Sequence, residues 1–160
     1  MELKVAMGEL MVAESPCLLK TVGIGSCVAV TLYDKDAAIG GLAHIMLPCI
    51  KEANDKSNPS RFSDVAINTM IDTMKKQGAC IQDIKAKLFG GANMFPGIIT
   101  SGSTMDIGNR NILTVRQELE KYNIKIIAEE VGGSIGRSAV FDTKDGSVLI
   151  NSAHHEKKVY

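Results

Sequence analysis

The sequence predicts an α+β domain built on antiparallel sheets. Strand-like apolar runs outnumber helical ones, most neighbouring runs are separated by hairpin-type turns, and only two segments carry the 3.6-residue apolar period of a helix. At 160 residues the chain fits a single domain, 1–160, long enough to bury a core without disulfide or metal staples.

The elements follow in order. Leu3 to Met11 is mostly apolar, Cys17 to Leu19 is a short apolar run, and Ile24 to Tyr33 mixes β-branched residues in near alternation, so all three read as strands. Asp34-Lys35-Asp36-Ala37 reads as a turn, Ile39 to Leu47 resumes the apolar pattern and Pro48 ends it, which predicts a β-hairpin closing at Lys35-Asp36. Lys51 to Ser60 is a polar surface loop. From Arg61 to Gln77, residues Phe62, Val65, Ala66, Thr69, Met70, Thr73 and Met74 form one apolar stripe of a helix, and Gly78 stops it.

Ile84 to Phe89 is a strand ending at Gly90-Gly91, after which Asn93 to Gly108 is irregular, Gly- and Ser-rich, and of a length that often carries function. A second helix spans Arg110 to Tyr122, with Ile112, Val115 and Leu119 on one face and Glu118, Glu120 and Lys121 towards water. Ile124 to Glu130 reads as a strand, Gly132 to Gly136 as a loop, and Ala139–Phe141 with Val148–Ile150 as a hairpin turning at Asp145-Gly146. Asn151 to Tyr160 reads as a polar tail.

Composition excludes several functions. Eighteen basic residues balance eighteen acidic ones, so no global field draws the chain to nucleic acid or to an anionic membrane surface. No run approaches the roughly 20 apolar residues of a membrane helix, and the first residues lead into no signal-peptide block, so the cytoplasm is the expected location. Cys17, Cys27, Cys49 and Cys80 are widely spaced and lack a zinc-ligand pattern, which predicts reduced thiols and no structural metal. His154-His155 lie in a charged stretch and make a poor metal site alone. Sparse aromatics and the absence of Trp leave little to stack on bases or sugar rings.

Chemistry points to the first hairpin. Closed symmetrically about Lys35-Asp36, it sets Tyr33 opposite Ala38, Leu32 opposite Ile39 and Cys27 opposite His44. Directly opposed residues hold their Cβ atoms roughly 4.5–5.5 Å apart, so an imidazole could take the thiol proton and leave a thiolate–imidazolium pair. Gly25 and Ser26 leave the backbone before Cys27 nearly bare, where main-chain N–H groups could receive an oxyanion. Two alternatives stay open. Gly40-Gly41 could host a bulge that slips the register and turns His44 to the other face, or Cys27 could be a buried small hydrophobe and His44 an ordinary core histidine.

The residues around this pair, Thr21 to Val30 and Gly40 to Pro48, together with Phe89-Gly90-Gly91-Ala92-Asn93-Met94-Phe95, Ile107-Gly108-Asn109-Arg110-Asn111, Gly132 to Arg137 and Phe141-Asp142, strongly resemble the chemoreceptor glutamine deamidase family, CheD. The resemblance implies Cys27 as nucleophile, His44 as general base and Thr21 as the residue that orients the imidazole. It implies an antiparallel β-sandwich with helices packed on one side, a three-layer α/β/β fold related to cysteine-dependent deamidating toxins. It also implies a hydrolase that needs no cofactor, acting on glutamines in the helical cytoplasmic part of chemotaxis receptors and partnered by the chemotaxis phosphatase CheC. Methyl-ester hydrolysis on the same receptors is a possible addition. Asn93 in the Gly90-Gly91-Ala92-Asn93 turn could set an amide over the site, although such turns commonly mark nothing more. Gly132 to Arg137 lacks the ending of a P-loop and reads as a plain loop. Two rivals share these residues: a non-catalytic adaptor that binds CheC, and a thiol peptidase or small-amide hydrolase using the same dyad.

Overall fold

The structure is a computed structural model that describes residues 1–95, 106–154 and 156–160. Most of the predicted irregular stretch, 96–105, and His155 lie outside the described residues.

Ten strands and two α-helices are found among the described residues: β1 (Glu2–Lys4), β2 (Leu10–Glu14), β3 (Leu18–Ile24), β4 (Val28–Asp34), β5 (Ile39–Ile45), α1 (Ser63–Lys76), β6 (Ile84–Gly90), α2 (Ile107–Lys121), β7 (Lys125–Val131), β8 (Arg137–Asp142), β9 (Val148–Ser152) and β10 (Lys157–Val159). They form two five-stranded sheets, ordered β1-β3-β8-β9-β10 and β2-β5-β4-β6-β7. The α+β class holds, but the sheets are not purely antiparallel. β1 runs parallel to β3, and β6 runs parallel to β7. The second pairing follows from connectivity, because α2 lies between β6 and β7 and a parallel pair requires a crossover of that kind.

Three further expectations change. The run Leu3–Met11 divides into β1 and β2, which belong to different sheets. The polar tail contains a strand: β10 adds antiparallel to β9, Lys157 opposite Asn151, and all three of its residues are exposed. The buried stripe of α1 is Ala66, Ile67, Met70, Ile71 and Met74, turned from the predicted one. The hairpin of β8 and β9 forms as expected, with Phe141 opposite Val148.

Alternation along the strands explains the two cores. In β4, Val28, Val30 and Leu32 join the cluster that includes Met70 and Met74 of α1 and Val115 and Leu119 of α2, whereas Ala29 joins Leu19, Ile24, Phe89, Ala139 and Phe141 between the sheets. In β5 the same rule sends Ala43 and Ile45 towards the helices and Leu42 towards the facing sheet. His44, two positions from Leu42, therefore points between the sheets.

Candidate active site

Residues 25–27 carry the chain from β3 in one sheet to β4 in the other. This turn is clamped by the end of β6: the Gly91 N–H donates to the Cys27 carbonyl at 2.7 Å and the Ala92 N–H to the Gly25 carbonyl at 2.9 Å. The approach is close enough to require glycine at position 90, which has φ +106° and where a Cβ would collide with the Cys27 carbonyl oxygen and Ile24 Cγ2. Among the described residues, the Gly25, Ser26 and Cys27 N–H groups donate to no other residue. Cys27 itself is 7% exposed. Burial pushes its thiol above the ordinary range, partly offset by its own backbone N–H.

The hairpin register differs from the expectation: His44 lies opposite Ala29, and Tyr33 opposite Gly40. The cause is Asp34, whose carboxylate accepts the Asp36 and Ala37 N–H groups, each at 3.0 Å, while Ala38 takes φ +55°. The connection is thus four residues, 35–38, rather than two, which moves the pairing by two positions. A shift of two preserves the face. Cys27 lies one residue before the first rung, Val28 with Ile45, outside the ladder, and is not the direct partner of His44. Gly40-Gly41 forms no bulge; the two glycines let Phe141 and Met70 pack against opposite faces of β5.

His44 is wholly buried, and its Nδ1 lies 2.6 Å from Thr21 Oγ1 across the gap between the sheets. Thr21 is 2% exposed and shares its face of β3 with Leu19. Nε2 is buried and makes no hydrogen bond among the described residues, so there the ring is anchored by one nitrogen alone. Burial holds the imidazole below its ordinary pKa. Burial thus pushes the thiol up and the ring down, disfavouring the charged form of each group. The thiolate–imidazolium pair expected from the sequence is disfavoured by burial of both groups.

The family model described as CheD chemotactic sensory transduction matches residues 46–152. A protein of Clostridium tetani named "Probable chemoreceptor glutamine deamidase CheD" is 47% identical over 151 residues, covering 94% of this chain and 91% of that protein. The chain belongs to the CheD family. Proteins of the same name from Clostridium novyi and Clostridium kluyveri are 46% and 44% identical, each alignment covering 94% of this chain and 93% of the relative. Among solved structures, the Bacillus licheniformis hypothetical protein YfiH matches with a TM-score of 0.50 at 15% identity, over 78% of this chain and 51% of that one. That likeness concerns the fold alone, and this chain spans about half the length of YfiH.

Within this family member the remaining candidates separate. Gly25 and Ser26 sit in the Cys27 turn. Asn93 is half-buried; its N–H donates to the Gly133 carbonyl at 2.8 Å and its Oδ1 accepts the Phe95 N–H at 3.1 Å, so the amide oxygen caps its own turn. Arg137 closes the Gly132 loop, with Nε 2.9 Å from Glu130 Oε2 and Nη2 donating to the Gly132 carbonyl at 3.0 Å. Cys17 is buried, Cys49 Sγ donates to Asp64 Oδ2 at 3.2 Å, and Cys80 is exposed.

Sequence reading assigned no role to Asn111, which is fully buried and reaches from α2 to the Ser26 and Met46 carbonyls. The signal that could have found it is its place four residues before Val115, a polar side chain on the apolar face of α2.

Proposed function

We propose that this chain deamidates glutamine side chains of chemotaxis receptors to glutamate, with Cys27 as nucleophile, His44 as base and Thr21 as the group that holds the ring. The observation that carries the reading is the 2.6 Å contact of Thr21 Oγ1 with His44 Nδ1, with Nε2 left without a partner among the described residues. With the Nδ1–H donated to Thr21, the Nε2 lone pair is free to accept a proton. The names of the clostridial relatives support the choice of substrate.

Since burial disfavours the charged form of both groups, proton transfer accompanies attack. The Cys27 S–H proton passes to Nε2 as sulfur bonds to the glutamine carboxamide carbon, and the oxyanion forms near the N–H groups of Gly25, Ser26 and Cys27. Imidazolium then protonates the departing nitrogen, the C–N bond breaks and ammonia leaves a thioester. Water, deprotonated by His44, attacks that thioester to give glutamate and return the thiol. Nε2 has no hydrogen-bond partner among the described residues, so on this reading the thiol meets it only in the complex with substrate.

The same reading makes the chain a cofactor-free cytoplasmic hydrolase, with CheC as partner and with a three-layer α/β/β arrangement akin to deamidating toxins. Two apolar clusters, one between the sheets and one beneath the helices, support the layering, and no helix among the described residues is long and apolar enough to cross a membrane. A second reading, a non-catalytic adaptor, is favoured by the 7% exposure of Cys27. Incubation with a receptor cytoplasmic fragment decides between them by mass spectrometry. Carboxamide-to-carboxylate conversion that disappears in Cys27→Ala and His44→Ala supports the deamidase. No conversion by the wild type favours the adaptor, and new chain termini would reveal a peptidase.

A further inference from the structure

The β4–β5 ladder ends at Val28 with Ile45, so the carbonyls of Ser26 and Met46 lie just beyond its last rung. Both are taken by a single group from outside the sheet. Asn111 Nδ2 donates 3.0 Å to the Ser26 carbonyl and 3.0 Å to the Met46 carbonyl. One amide thus bridges a residue adjacent to Cys27 and a residue two beyond His44.

Packing does not explain the choice of asparagine. Its Oδ1 is buried and has no partner among the described residues, a destabilising state that leucine, with a side chain of the same branched shape, would avoid. Among the described residues only the donor end of the amide is used, and the two carbonyl acceptors fix which end faces them.

We propose that Asn111 is a positioning residue that sets the Cys27 thiol against His44 by tying the Ser26 and Met46 carbonyls to α2. The proposal rests on Cys27 and His44 being the reacting pair. In a trans peptide the carbonyl of Ser26 and the N–H of Cys27 point in opposite directions, so fixing the first aims the second. That N–H belongs to the turn whose donors would meet the oxyanion. Without the bridge, the turn stays clamped to β6 through Gly91 and Ala92 but loses its fixed distance from the end of β5.

The test uses the full chain with Asn111→Leu and Asn111→Ser. Two readouts are taken: deamidation kinetics on a receptor cytoplasmic fragment, and peptide-resolved alkylation of Cys27 by iodoacetamide as a function of pH. A misplacement of about 1 Å can cost on the order of 10²-fold in rate, so kcat should fall to that extent while KM stays near the wild-type value. The Cys27 alkylation profile should be displaced, and that of the exposed Cys80 should not. A folded Asn111→Leu or Asn111→Ser protein with unchanged kcat and an unchanged Cys27 profile overturns the proposal. If neither variant folds, the wild type decides: alkylating Cys27 should shift the Asn111 side-chain NH2 resonances, and unmoved resonances overturn the proposal. Failure of the underlying reading looks different, because either the wild type would then convert no glutamine or Cys27→Ala would keep the deamidation activity.

Discussion

Replacing Thr21 by valine removes one oxygen and keeps the branched shape of the side chain. Thr21 is 2% exposed and His44 fully buried, so no solvent replaces the lost hydroxyl. The imidazole then loses its hydrogen bond to Thr21, and Nε2 has none among the described residues. Stranding a buried polar group costs about 1–3 kcal/mol. In a chain of 160 residues each kcal/mol lowers Tm by about 2–4 °C, so the variant should melt about 2–12 °C below the wild type. The chemical effect should be larger. An untethered ring can turn, and either nitrogen can carry the proton, so kcat should drop on the order of 10²-fold. Thr21→Ser, which restores an oxygen, should recover most of the rate. Thermal melts by circular dichroism and initial rates on a receptor fragment provide the two numbers. A Thr21→Val protein with wild-type kcat would refute the idea that the cross-sheet bond orients the base.

Protonation of His44 should appear in stability. Its folded pKa lies below the unfolded value of about 6.5, so the unfolded chain binds the proton first. This contribution is complete above about pH 6.5 and is lost as pH falls from there towards the folded pKa; urea midpoints of His44→Gln should therefore fall less steeply than wild type on acidification. Gly90→Ala should cost at least about 1–3 kcal/mol from its positive φ alone, with added loss of activity as the Cys27 carbonyl is displaced, both read from urea melts and initial rates. Gly40→Ala should destabilise because its Cβ would stand 2.5 Å from Phe141 Cε1, and Phe141→Leu in the same chain should recover part of that loss, a coupling measurable by a double-mutant cycle.

The face that His44 presents was legible because side chains alternate with a period of two, and the observed shift of two positions preserves the face. The register itself was not legible. It depends on the Asp34 carboxylate, which also accepts the Cys80 N–H at 2.8 Å, a contact 46 positions along the chain. Thr21 could be reached only through resemblance, since its partner lies in the other sheet and no local period connects positions 21 and 44. The parallel pairings of β1 with β3 and of β6 with β7 are likewise products of topology. β10 escaped notice because an edge strand exposed at every residue has no apolar alternation to show. Asn111 was hidden for a related reason: a buried amide becomes informative only once its two carbonyl partners, 85 and 65 positions away, are known.

The hydroxyl that steadies the imidazole and the strand that carries the imidazole belong to separate sheets, and the chain crosses between those sheets immediately before the sulfur. The site is consequently a vernier on the spacing of two slabs: a few tenths of an ångström of sliding or swelling between them lengthens the 2.6 Å contact while every ladder within each slab stays intact. Heat or mild denaturant should silence the chemistry before backbone circular dichroism registers any melting.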